Sequence, residues 1–246
     1  MSAAKDKNPR LGRYIVKTYG EESVRAFVPP PLPPNPPVRL EAVQRLLEQA
    51  NQSLGRLDGL ASVLPNLPLF IHAYVRKEAV LSSQGGCSLH FCCAPQACCE
   101  PILYLSLYFK QHRPAYYDLL ERVRAKGEWE TWLEFFLTGV RDTAEQAATA
   151  ARRILAVFED HHRKIEALGR PAASVLRVFE HMQRNPIVSI PAAAASIGLS
   201  APTVAKALEH MHQLGMLREI TGRRRHRLFV YDAYLAILSE GTEPTR

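Results

Sequence analysis

Gly85-Gly86-Cys87-Ser88-Leu89-His90-Phe91-Cys92-Cys93-Ala94-Pro95-Gln96-Ala97-Cys98-Cys99 holds all five cysteines of a 246-residue chain. How this stretch is understood decides the fold. Just before it, Glu78 to Gln84 continues an amphipathic helix. Just after it, Glu100-Pro101-Ile102-Leu103 leads into another apolar segment. The residues between have no helical period.

Cys87, His90, Cys92, Cys93, Cys98 and Cys99 are enough soft ligands for a tetrahedral zinc ion. Their spacing argues against one. Zinc pairs are separated by about two to four residues, whereas Cys92-Cys93 and Cys98-Cys99 are adjacent. Disulfides fit no better, because five is odd and no signal peptide is recognised at the opening residues. No metal site is expected.

The codons give a better account. Every Cys codon begins T-G and ends in T or C. In a register that takes the last base of one codon and the first two of the next, Cys92, Cys93 and Cys99 must each become Leu. Cys87 and Cys98 become Leu, Met or Val; Ser88 and Phe91 become Leu or Phe among the options; Gly86 can become Arg and Ala97 Gly. The shifted text is compatible with Arg-Leu-Leu-x-x-Leu-Leu-Leu-Cys-Ala-Ala-Gly-Val-Leu, an apolar helix ending near a glycine. On this account residues 85–100 are an out-of-frame junction, or an error in the sequence, without selected chemistry.

The flanks carry a resemblance. Val28-Pro29-Pro30-Pro31-Leu32-Pro33-Pro34, Leu54 to Leu60, Tyr74 to Gln84, Leu103 to Phe109, His112-Arg113, Tyr116 to Leu120 and Tyr231 to Gly241 together resemble the Fic (Fic/DOC) family. The likeness is to the bacterial subgroup with a proline-rich entry segment and a C-terminal winged helix. It spans nearly the whole chain outside residues 85–99. It implies a protein adenylyltransferase ancestry, in which ATP with Mg donates AMP to a hydroxyl of a target protein. The family signature, His-Pro-Phe-x-x-Gly-Asn-Gly-Arg, is not in this sequence, and His90 lacks the Pro-Phe context. Most of the core before that signature is missing too. No catalytic residue and no cofactor are therefore expected. Ser82 is what remains of the family's inhibitory Ser-x-x-x-Glu-Gly pattern, with Gly86 where the glutamate belongs. Tyr116 and Tyr117 fall where the family has an aromatic pair near the nucleotide; core packing is the expectation for both here.

Composition is ordinary for a soluble globular protein, and a cytoplasmic location is expected. The apolar share is 47%, the charged share 22%, and 31 Lys/Arg face 24 Asp/Glu. The net charge of +7 favours acidic partners without naming one. No run of about 18 apolar residues suggests a membrane partner.

Along the chain, residues 1–28 open polar and basic. Pro29–Pro37 must be extended, since proline fixes φ and lacks a donor, and it should strap onto its own domain. Val38 to about Leu60 predicts a helix whose apolar positions are Leu40, Val43, Leu46, Leu47, Ala50, Leu54 and Leu57, ended by Gly59. Leu69–Gln84 predicts another, burying Phe70, Ala73, Tyr74 and Leu81. Ile102–Lys126 and Glu128–Ala167 predict two more, separated by Gly127. Trp129, Trp132, Leu133, Phe136, Val140, Ala144, Ala147, Ala151, Leu155 and Phe158 form the stripe of the second. His161-His162 are expected to be solvated, because adjacent residues face different ways on a helix.

Gly169-Arg170-Pro171 marks a boundary, beyond which residues 169–246 are expected to fold alone. A helix over 173–184, a strand over 186–190, helices over 191–197 and 201–213, and strands over 216–220 and 227–231 make a winged helix-turn-helix. If it binds DNA, the 201–213 helix offers Ser200, Thr203, Lys206 and His210. The hairpin offers Arg223, Arg224, Arg225 and Arg227 to phosphates, whose oxygens the guanidinium fork fits. From 171 to 246 nine Lys/Arg face only six Asp/Glu, so a protein-contact or homodimer role stands beside DNA binding.

The expected fold is mostly α. A Fic N-terminal region over 1–84, the junction at 85–100 and C-terminal core helices over 101–168 form an incomplete Fic-type bundle; the winged helix occupies 169–246. Three functions compete: an inactive relative kept as a DNA- or protein-binding regulator, a gene remnant, or a transferase whose missing motif a partner supplies.

Overall fold

The computed structural model describes residues 8–19, 22–73, 105–223 and 227–240. The cysteine stretch, Ser82, Tyr74, Leu81, Arg224 and Arg225 lie outside them. The fold is mostly α.

The chain opens with a feature absent from the expectations. β1 (Arg13–Tyr19) and β2 (Glu22–Val28) pair antiparallel, with Arg13 opposite Val28 and Tyr19 opposite Glu22. Tyr14-Ile15-Val16 and Val24 to Val28 are strand formers on either side of a glycine. Surrounding lysines and arginines mask that signal in a composition-based view.

The proline segment leads into α1 (Leu40–Ala61). Its buried positions are Val43, Ala50, Ser53, Leu57 and Ala61; Leu40 is 64% exposed and Leu47 is also exposed, contrary to the expected face. Gly59 does not end the helix. Leu57 and Ala61 are both buried, and that packing outweighs the roughly 1 kcal/mol penalty of a helical glycine. Asn66 caps the next helix, its Oδ1 accepting from Leu69 N at 2.9 Å. That helix, α2, is described over 67–73, with Phe70 buried and Ala73 half-buried.

The single helix expected over 102–126 is two, α3 (Ser106–Gln111) and α4 (Arg113–Lys126). His112 breaks them with φ −109° and ψ 31°, and Pro114 sits in the first turn of α4, where its missing N–H costs nothing. Gly127 ends α4 at φ 72°. A Cβ there would lie 2.7 Å from Cβ of Arg10, so both the turn and the crossing chain require glycine.

α5 (Trp129–Glu166), 38 residues, is the longest helix among the described residues. Its first half packs along α1. Gly139 admits the Tyr108 ring of α3, whose Cδ1 would sit 2.6 Å from an added Cβ. Its second half packs on α6 (Ala172–Arg184) and on α9 (Asp232–Ser239), a C-terminal helix that the sequence reading left unplaced.

After α6 the chain forms β3 (Ile187–Ser189), α7 (Ile190–Ile197), α8 (Ala201–Gln213), β4 (Arg218–Glu219) and β5 (Leu228–Val230). The sheet order is β3-β5-β4, all antiparallel, with Val188 opposite Phe229 and Arg218 opposite Val230. Its core takes Phe179, Met182, Val204, Leu208, Met211, Phe229, Tyr231 and Tyr234 together with Phe158 and Ile165 of α5. The apolar centre of this unit thus begins upstream of Gly169. The Phe158 ring lies 5.0 Å from Tyr234 and 5.8 Å from Tyr231. His161 is 9% exposed, not solvated, and its Nδ1 lies 2.6 Å from the Tyr231 hydroxyl. His162 is the partly exposed one, 3.6 Å from Glu166. Among the described residues no helix is long and apolar enough to cross a membrane.

Candidate nucleic-acid interface

The helix pair α7–α8 is set by its caps. Ser189 Oγ accepts from Ala192 N at 3.4 Å, and Pro191 fits the first turn. Gly198 ends α7 at φ 71°, a left-handed conformation that glycine adopts without strain. Ser200 then caps α8, accepting from Thr203 N at 3.4 Å, with its Oγ 2.8 Å from Thr203 Oγ1. At about 100° per residue, Ser200, Thr203, Lys206 and His210 share one flank of α8. Val204, Ala207, Leu208 and Met211 face the core. Ser200 and Lys206 are exposed, whereas Thr203 and His210 are half-buried.

The β4–β5 hairpin follows. Arg223 is exposed near its tip. Arg227 lies over the Phe229 ring at 4.8 Å, which orients its guanidinium. Arg218 forms a fork onto Asp232, with Nε 2.6 Å from Oδ2 and Nη2 3.0 Å from Oδ1. Glu240 is held by Arg153 of α5 at 2.5 and 2.6 Å. Two of the six acidic residues beyond residue 170 are therefore paired; the Arg218–Asp232 pair leaves the segment's balance unchanged, while Arg153, from outside it, offsets Glu240 and shifts the balance by one towards positive.

Glu219 was missed. One carboxylate oxygen accepts from Thr221 N at 2.8 Å, from the Thr221 hydroxyl, and from Gly222 N at 3.1 Å. The Thr221 hydroxyl, and then the Thr221 backbone N–H, are the leading causes that hold its carboxyl below the usual range. A Glu two residues before a Thr-Gly pair is the sequence signal that could have shown it.

The aromatic pair divides. Tyr116 is half-buried, its ring 5.2 Å from Phe109 and 5.6 Å from Trp132. Tyr117 is 52% exposed, with Arg113 5.6 Å from its ring, so the core packing expected for both holds only for Tyr116. Between α1 and α5 runs a polar groove, with a cavity of about 470 Å³ lined by residues that include Arg45, Gln49 and Arg141. Arg141 Nη1 reaches Gln49 Oε1 at 3.3 Å, and Ser53 Oγ lies 3.1 Å from Glu145 Oε1. Among the described residues no three His, Cys, Asp or Glu could together hold a metal ion; the cysteines and His90 lie outside them.

Residues 44–84 match a protein-family profile, Fic/DOC family N-terminal. The matched span takes in most of α1, including Arg45, Leu46 and Gln49 of this groove, and the described part of α2.

Proposed function

We propose that this chain is a Fic-family protein derived from a protein adenylyltransferase, that it has lost AMP transfer, and that it acts as a regulator binding DNA through a C-terminal winged helix. Transfer of AMP requires a base for the target hydroxyl and backbone amides at a helix N-terminus for the phosphates. The family supplies both in one signature, and the observation that carries this reading is that no Gly-Asn-Gly-Arg occurs anywhere in the sequence.

DNA is favoured over a protein partner by the hairpin. Its Thr221 to Arg227 tip carries four arginines within five residues and no acidic residue. The neighbouring acids Asp232 and Glu240 are engaged by Arg218 and Arg153. Guanidinium groups on a hairpin suit phosphate oxygens, and helix α8 presents the exposed Lys206 as a candidate for the major groove. Labelled ATP with lysate should give no labelled protein above a boiled control, while the intact chain should retain duplex DNA on a gel at low salt. ATP-dependent labelling, or no DNA retention, would overturn the corresponding half.

A further inference from the structure

The hairpin tip poses a problem that its arginines do not solve. Four like charges repel one another, and a two-residue strand such as β4 gives the loop little to hold it. A loop that must be ordered on binding loses affinity to that ordering. Something has to fix the two limbs before phosphate arrives.

Glu219 is placed to do so. Its Oε1 accepts from the backbone N–H groups of Thr221 (2.8 Å) and Gly222 (3.1 Å), and Oε2 lies 3.2 Å from Gly222 N. These contacts gather the ascending limb immediately before Arg223. The Thr221 hydroxyl donates to the same carboxylate and accepts from Leu228 N at 3.4 Å, on the descending limb next to Arg227. Ile220 N also donates to Leu228 O at 3.0 Å. One carboxylate therefore ties both limbs through a single hydroxyl. Gly222, at φ 59°, supplies the left-handed turn that lets its N–H point back at Glu219.

Resting on the DNA-binding reading, we propose that Glu219 is a positioning residue, which ties the wing's two limbs through Thr221 so that Arg223 on one limb and Arg227 on the other are already in place to meet phosphates. The chemistry makes this counter-intuitive. An acid beside a phosphate site should by charge alone weaken binding, so its removal should tighten it. A positioning role predicts the opposite sign.

The test uses the full chain, a labelled mixed-sequence DNA duplex, and three variants. Glu219→Gln removes the charge and weakens the clamp. Thr221→Val breaks the link to Leu228 with no change of charge. R223A/R224A/R225A removes the phosphate contacts themselves. The expected result is that Glu219→Gln and Thr221→Val each weaken duplex binding roughly three- to tenfold, as loss of one hydrogen-bonded tie predicts. Both should leave the melting temperature of the chain unchanged and speed amide exchange at Gly222 and Leu228. Tighter or unchanged binding by Glu219→Gln, with the triple variant weakened, would overturn the positioning role and leave the DNA reading standing. Binding unchanged in the triple variant would overturn the DNA reading itself, and Glu219 would then be only a turn-forming residue.

Discussion

His161 Nδ1 on α5 lies 2.6 Å from the hydroxyl of Tyr231, which immediately precedes α9, and the two rings stack at 5.5 Å. Burial holds the imidazole below its ordinary value of 6.5, with Lys164 adding to the effect and Asp160 opposing it. Burial also pushes the Tyr231 phenol far above its usual range, so both groups are neutral near pH 7. The folded protein prefers a neutral His161. The stability it contributes is present above about pH 6.5 and is lost as pH falls from there through the lower folded value. Melting curves across this window should show that loss, and His161→Phe should remove that part of it. At pH 7 the same variant should cost about 1–3 kcal/mol, because a buried Tyr231 hydroxyl loses its partner.

Arg10 works in the same manner at the other end. Its guanidinium reaches Pro36 O at 2.7 Å, Pro37 O at 2.5 Å and both oxygens of Glu130 at 2.9 and 3.0 Å, while Glu130 also accepts from Arg39 N. The hydrogen bonds from Arg10 lower the Glu130 carboxyl to about 2. That stability is present above the ordinary value of 4.5 and lost as pH falls towards about 2. Arg10→Ala should cost about 1–3 kcal/mol and make the segment before Leu40 sensitive to protease. Protection equal to that of the parent would show that the proline segment is held by other contacts.

The shared core of α5 and the C-terminal unit bears on fragments. A piece covering residues 169–246 lacks Phe158, His161 and Ile165, and leaves Tyr231 and Tyr234 without an α5 face. Burying two such side chains is worth about 3–6 kcal/mol, a large part of a small domain's stability. A fragment beginning at Ala150 should melt cooperatively, whereas one beginning at Gly169 should not. Equal cooperativity of the two would contradict the packing described here.

Codons test the junction. The DNA for Gly85 to Cys99, one register over, should encode an uninterrupted apolar segment beginning close to Arg-Leu-Leu. A stop codon or a run of charges in that register would end the frameshift account.

ATP offers a check on the loss of chemistry. A nucleotide that binds only the folded protein must stabilise it by mass action, so millimolar ATP should leave the melting temperature where it was. A clear rise would mean that a nucleotide pocket persists without the signature.

Much of the architecture was legible because helices announce themselves by period. The span Glu128–Ala167 was expected and Trp129–Glu166 found; Ala201–Gln213 agreed residue for residue. The failures were tertiary. Gly59 looks like a stop, yet the buried Leu57 and Ala61 on either side of it carry α1 past it. His161 looks solvated from its adjacent histidine, yet the turn of α5 aims it at Tyr231, 70 residues away. Of the candidate site, the flank of α8 was readable from spacing. The Glu219 clamp was not, because its partners are backbone amides whose direction depends on the turn at Gly222.

The most direct measurement is the salt dependence of duplex DNA affinity for the intact chain and for R223A/R224A/R225A. Each phosphate neutralised adds about 0.9 to the slope of log affinity against log salt. The account predicts a steep negative slope for the parent, flattened by roughly two to three in the variant, with binding weakened alike for all sequences. An affinity indifferent to salt, or a slope the three substitutions leave unchanged, would contradict it.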